Sequence, residues 1–303
     1  DRGVAGGGGV AGTAVVAAGV RRTTPSSRGS FVRIDGVPHH VDVTGDGPVC
    51  VLSAGLGLAW AEWDPVVALL APYRTVVRFD RPGLGLSAPA PGAPTLAGEA
   101  GRIGLVLDAV GFGGAAVTVV GHSLAGFHAE AFARLCPRRT AGVVLVDSSV
   151  EASARAVPGR AARVGAARVG GAVLGAAGVP LAVGPAVRWL AGRPAPRELR
   201  SLYGSSRVWR AGLVEYATYA DVAHELAELR RGTPLPSWAP VTVLAASTSR
   251  APGSDPWLTR QRTLATELGA TPAVLGLLTS AFAVTNGIGQ FGAGLLSDRW
   301  ASR

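Results

Sequence analysis

Val117-Thr118-Val119-Val120-Gly121-His122-Ser123-Leu124-Ala125-Gly126 decides the fold. Four β-branched residues run into a turn of small residues with a serine at its apex, the pattern of a strand that passes into a helix through a cramped bend. A serine hydroxyl is a weak nucleophile unless such a bend lifts it off its strand, beside a base and over backbone N–H donors. Gly121 and Ala125, two residues to either side of Ser123, leave room for that bend, and a further glycine follows at Gly126. A nucleophile elbow is therefore expected at Ser123, with a buried serine in a glycine-rich turn as the plainer alternative.

Outward from the elbow, the chain alternates short apolar runs with helix-length spacers. Val49–Ser53 ends in Ala54-Gly55-Leu56-Gly57, and Thr75–Asp80 ends in Arg81-Pro82-Gly83-Leu84-Gly85-Leu86-Ser87. Val143–Asp147 and Val241–Ala245 follow the elbow, while Pro38–Val43 alternates as a strand near a sheet edge. Helices are expected over Ala59–Leu70, Thr95–Val110 and Leu124–Leu135. Continuous β-branched runs separated by helices predict an α/β protein, with a mostly parallel sheet covered on both faces.

Four of these segments, G-H-S-L-A-G, D-R-P-G-L-G-L-S at Asp80–Ser87, A-G-L-G at Ala54–Gly57 and L-V-D-S-S at Leu145–Ser149, stand in an order that resembles the α/β-hydrolase family over about residues 30 to 270. The resemblance implies a Ser–acid–His triad, a helical cap from about Glu151 to Pro236, and an oxyanion hole formed by the Leu56 and Leu124 N–H groups. It also implies hydrolysis of a carboxylic ester through an acyl-enzyme on Ser123, and the apolar, glycine- and alanine-rich cap points to a small lipophilic acyl or aryl ester as substrate. The acid must lie at the carboxyl edge of the sheet. Asp147, at the end of the strand after the elbow helix, is preferred, and Asp255, several residues beyond the strand ending near Ala246, is the alternative. Asp80 is read as tying its own turn together, as Asp does at such bends.

The base has no evident source. In this fold the histidine comes last in chain order, yet the five histidines are His39, His40, His122, His128 and His224. His39 and His40 read as packing or surface residues, His122 as part of the elbow, and His128 as pointing down the elbow helix away from Ser123. His224, in the cap, is the weak remaining candidate. The catalytic histidine is accordingly expected to be missing, and a catalytically inactive binding or scaffold protein, or a membrane-tethered fragment, is the competing expectation.

No charge occurs from Thr271 through Ser297, a length that suits a bilayer-spanning helix. Its end, Gly294-Leu295-Leu296-Ser297-Asp298-Arg299-Trp300, resembles the loop after the second transmembrane helix of major facilitator transporters. The expectation is an α/β-hydrolase body whose last strand and helix are replaced by an apolar helix, with membrane association through residues 272–296 and an otherwise cytoplasmic location. Residues 1–29 read as a Gly/Ala-rich segment, resembling the remnant of a signal or anchor, followed by a Thr/Pro/Ser linker. The hydrolase core is then expected over 30–150 and 237–270, divided by a cap over 151–236.

A net charge of +9 invites a nucleic-acid reading, but all 29 basic residues are arginine and no basic stripe is interleaved with aromatics. The lysine-free composition matches GC-rich coding instead. Hydrophobic residues make up 48% of the 303-residue chain, enough for one large core. Cys50 and Cys136 read as buried apolar groups rather than a disulfide. No metal-ligand spacing or dinucleotide fingerprint is present, so no cofactor is expected.

Overall fold

The β-branched runs of the sequence become the middle of a sheet because a strand covered on both faces needs apolar side chains on both. A computed structural model describes residues 29–151, 154–190, 201–245 and 255–270. The strands are β1 (Ser30–Ile34), β2 (Val37–Thr44), β3 (Val49–Ser53), β4 (Thr75–Phe79), β5 (Val117–His122), β6 (Thr140–Val146) and β7 (Val241–Leu244). They lie in the order β1-β2-β4-β3-β5-β6-β7. β1 and β2 are antiparallel to their neighbours, and the pairs from β4 to β7 are parallel. The expected mostly parallel sheet is present, and β5, which carries the elbow, lies inside it between β3 and β6.

Period-two alternation divides the sheet's side chains between two cores. Val51, Val77, Val119 and Val143 pack toward α2 (Leu96–Ala109) and α3 (Leu124–Leu135), meeting Ile103, Leu107, Phe127 and Phe132. Cys50, Leu52, Val76, Val120 and Val146 face the other way, onto Trp63 and Val67 of the 3-10 turn Trp60–Trp63 and α1 (Asp64–Leu70). Each such fully buried side chain contributes about 1.5–3 kcal/mol. These two layers hold the carboxyl ends of β3, β5 and β6 in fixed register.

Between β6 and β7 the described residues include the helices α4 (Arg160–Ala176), α5 (Val179–Leu190) and α6 (Ser206–Gly232). α4 is tied to α6 by Arg163 to Asp221 at 2.6 Å and Arg160 to Glu225 at 3.0 Å. α7 (Pro256–Glu267) follows β7.

Two sequence expectations are amended. The chain begins its sheet one strand earlier than read: Asp35-Gly36, with φ of 50° and 76°, closes a two-residue hairpin between Ile34 and Val37. Cys50 is buried, and burial pushes its thiol up to about 11, but Cys136 at the end of α3 is only half-buried; neither forms a disulfide. The expected N-terminal segment over residues 1–29, apart from Gly29, and the apolar helix at 272–296 lie outside the described residues. Among the described residues, no helix is long and apolar enough to cross a membrane.

Candidate active site

Ser123 has φ 52° and ψ −122°, a backbone state that L-residues other than glycine rarely adopt. Three hydrogen bonds hold it there. Its N–H donates to the Val146 carbonyl at 3.1 Å, and its own carbonyl accepts from Gly126 at 2.9 Å and Ser149 at 3.1 Å. The bend leaves no space for side chains at two positions. A Cβ at Gly121 would lie 2.2 Å from the Ala125 carbonyl oxygen, and one at Gly126 would lie 2.0 Å from the Ser148 hydroxyl. This explains the glycine at 126, whereas Ala125 points into the core and is fully buried. From Gly121 to Arg134, Ser123 is the one residue that is not buried. α3 begins immediately after it, so the serine stands at the positive end of a helix.

The Ala54–Leu58 loop, at the end of β3, lies beside the elbow because Ser53 and Gly121 are register partners. The His122 ring lies under it: a Cβ at Gly55 would come within 2.9 Å of His122 Nδ1. His122 also meets Trp63 edge-on at 6.3 Å. Asp80 has the tying role expected of it. Its carboxylate accepts from the Trp60 N–H at 2.8 Å and the Leu86 N–H at 2.9 Å, and pairs with His40 Nδ1 at 3.2 Å.

Asp147, at the end of β6, is the second strained residue of this rim, with φ 47°. It is 3% exposed, and its Oδ1 accepts from Trp257 Nε1 at 2.5 Å. Asp255 caps α7, accepting from the Trp257 N–H at 2.9 Å, so the two acids considered from sequence flank a single tryptophan.

The histidines are dispersed. His39 and His40 are buried in β2; His39 Nδ1 lies 2.9 Å from the Val37 carbonyl, and its Nε2 lies 3.0 Å from Arg102 Nη1. His128 is buried in α3, and among the described residues neither ring nitrogen has a hydrogen-bond partner. Burial, reinforced by the charges of Arg81 and Arg102, holds His128 well below its ordinary value of 6.5. His224 lies on α6 with Nε2 3.8 Å from Glu228, one turn along. Among the described residues, no side chain is hydrogen-bonded to the Ser123 hydroxyl.

Sequence reasoning missed Arg81, Glu215 and Trp257. Arg81 had a visible signal, a cation placed directly after a strand-end Asp inside an otherwise apolar turn. Glu215 and Trp257 had none, since each meets its partner more than a hundred residues away in sequence.

An elbow serine at a helix N-terminus, a glycine loop beside it and a strand-end carboxylate on a parallel sheet define a hydrolase-type α/β protein. The chain belongs to the alpha/beta hydrolase family, whose profile it matches over residues 50–281. It is 30% identical over 108 residues to RutD of Azorhizobium caulinodans, named as a candidate carbamate hydrolase; the match spans 36% of this chain and 40% of that relative's length. The enol-lactonase of Burkholderia xenovorans LB400 is similar in structure, with TM-score 0.57 and 22% identity over 87% of this chain and 99% of that one. An N-formylmaleamic acid deformylase of Pseudomonas putida S16 gives TM-score 0.56 and 18% identity over 81% and 90%. At these identities the structural likenesses establish the fold.

Proposed function

We propose that the chain is a serine hydrolase acting on small lipophilic carboxylic esters. Ser123 is the nucleophile, the Leu56 and Leu124 N–H groups receive the oxyanion, and Asp147 is the acid. The observation that carries this reading is the strained, hydrogen-bonded backbone of Ser123 at the one unburied position of a buried elbow. Ser123 Oγ attacks the acyl carbon, the carbonyl oxygen gains charge at the α3 N-terminus, and the alcohol departs to leave an acyl-enzyme that water hydrolyses. The helices over Glu151–Pro236 act as the cap above this rim. A carbamate, an enol-lactone and an N-formyl group, named for the similar proteins, each offer an acyl carbon to such a nucleophile, which supports acyl chemistry here.

None of the five histidines is assigned as the base. The Trp257 indole bonded to Asp147 favours a second reading, a binding protein that uses the same pocket without turnover.

Labelling with a serine-directed fluorophosphonate and hydrolysis of short p-nitrophenyl esters separate the two. The hydrolase reading expects both signals in the wild type and neither in Ser123→Ala. Hydrolysis that persists in Ser123→Ala, or no signal from a folded wild type, removes it.

A further inference from the structure

We infer that Arg81, gripped by Glu215 of α6, is a positioning residue: it sets the direction of the Leu56 N–H and thereby makes the oxyanion hole depend on the seating of the inserted helices. The inference rests on the serine-hydrolase reading above.

The Ala54–Leu58 loop carries little stiffness of its own. Gly55 and Gly57 flank Leu56, and glycine restricts the backbone least. Gly55 is required by packing, since a Cβ there would press on the His122 ring. Leu56 therefore needs an external restraint, and Arg81 supplies it. Its guanidinium is 3% exposed; Nη1 donates to the Ala54 carbonyl, and Nη2 donates to the Gly55 carbonyl at 2.7 Å. The Leu58 N–H adds a second bond to the Gly55 carbonyl at 3.1 Å.

No peptide bond among the described residues is cis, and in a trans peptide the C=O and the following N–H point to opposite sides. With the Gly55 carbonyl turned to Arg81, the Leu56 N–H is turned away from it. That N–H has no acceptor among the described residues. The next donor is already committed, because Gly57 N–H donates to Glu215 Oε2 at 2.8 Å. Arg81 and Glu215 thus hold the Gly55 carbonyl and occupy the Gly57 N–H, while the Leu56 N–H, the one an oxyanion would use, stays uncommitted.

Glu215 holds the other side of the guanidinium, accepting from Nε at 2.6 Å and from Nη2 at 3.0 Å. Burial works against the Arg81 charge, but the Glu215 carboxylate outweighs it and the guanidinium is held charged more firmly than usual. The same stretch of α6 is pressed onto the neighbouring turn. Arg207 donates to the carbonyls of Gly83 at 3.0 Å and Gly85 at 2.6 Å, and a Cβ at Gly83 would lie 2.8 Å from that of Ala211. A shift of α6 therefore moves Glu215, Arg81 and the Gly55–Leu56 peptide together.

The test is the double variant Arg81→Met/Glu215→Leu, which removes both charges and leaves no buried ion unpaired. Its Ser123-dependent kcat is expected to fall about 10²–10³-fold, the cost of one misdirected oxyanion donor, with KM within a few-fold of wild type. Arg81→Lys keeps the charge but not the two-carbonyl fork, and is expected to lose kcat similarly. A role limited to stability would lower the melting temperature and leave kcat of the folded protein intact, which would overturn the inference. A crystal structure of the double variant reads the Gly55–Leu56 peptide directly: rotation supports the inference, and an unrotated peptide overturns it. Should wild-type turnover prove independent of Ser123, the hydrolase reading falls and this peptide orientation alone decides. If the double variant fails to fold, the same two measurements on Glu215→Gln decide in the same way.

Discussion

Ser123 and Asp147 follow neighbouring strands with nearly the same positive φ, 52° and 47°, yet their side chains meet opposite fates. The elbow around Ser123 spends its packing on keeping the hydroxyl clear, with Gly121 and Gly126 stripped of side chains and the rest of the bend buried. The turn at Asp147 does the reverse: the carboxylate is buried and receives an indole N–H. The Ser123 N–H also bonds the Val146 carbonyl, so each strained residue helps to hold the other. Backbone strain thus marks both ends of this rim, while the surrounding side chains determine which group is presented and which is held. Asp35, the third non-glycine residue with positive φ, shows the limit of the sign alone, because it sits in a hairpin turn that any Asp-Gly pair would favour.

The largest effect is expected at the elbow. Gly121→Ala drives a methyl against the Ala125 carbonyl, a backbone atom that cannot step aside, and should cost roughly 3 kcal/mol by urea denaturation. A stability within 0.5 kcal/mol of wild type, on the order of an ordinary surface substitution, would show that the bend is less cramped than described. On the Asp147 side, Trp257→Phe deletes a donor to a buried carboxylate and should cost about 2 kcal/mol. No loss there would mean that the carboxylate does not depend on the indole.

Next comes a proton-linked effect within α3. His128 is neutral in the folded state because its folded value is depressed by burial, while in the unfolded chain it takes a proton below its ordinary value of 6.5. Stability is therefore fully present above that pH and is lost as pH falls from it toward the folded value, at no more than about 1.4 kcal/mol per pH unit for one proton. His39, also depressed by burial, adds to the same limb. His128→Leu should flatten that decline in acid, and an unchanged slope would assign the effect elsewhere. The smallest effect belongs to Asp255→Ala, which removes an N-cap and should cost about 1 kcal/mol with no change in Ser123-dependent turnover. A clear loss of Ser123-dependent turnover in the folded variant would favour Asp255 over Asp147 as the acid.

The elbow was legible because its causes are local. A β-branched run, two small residues and a serine at fixed spacing fit one kind of bend, and the same local logic located β3 through β7 in the sequence. The β1–β2 hairpin was equally legible in principle, since Asp35-Gly36 stands between two alternating runs, but only the second run was read as a strand. What escaped were pairings between distant segments. Arg81 reaches Glu215 across 134 residues and Trp257 reaches Asp147 across 110, and no periodicity or spacing encodes such meetings. Both set the polar surroundings of the candidate site. Sequence thus pointed to Ser123 and to two candidate acids, but it did not reveal the side chains packed around them.

Trp257 also gives the rim an optical property. An indole bonded through Nε1 to a carboxylate shifts and changes its emission when that bond is broken, so the chain carries its own fluorophore beside Asp147. The chain has seven tryptophans, and subtracting the spectrum of Trp257→Phe isolates this one. A ligand that captures the Asp147 carboxylate then announces itself as a change in ultraviolet emission from an unlabelled protein, whether or not any bond is cleaved.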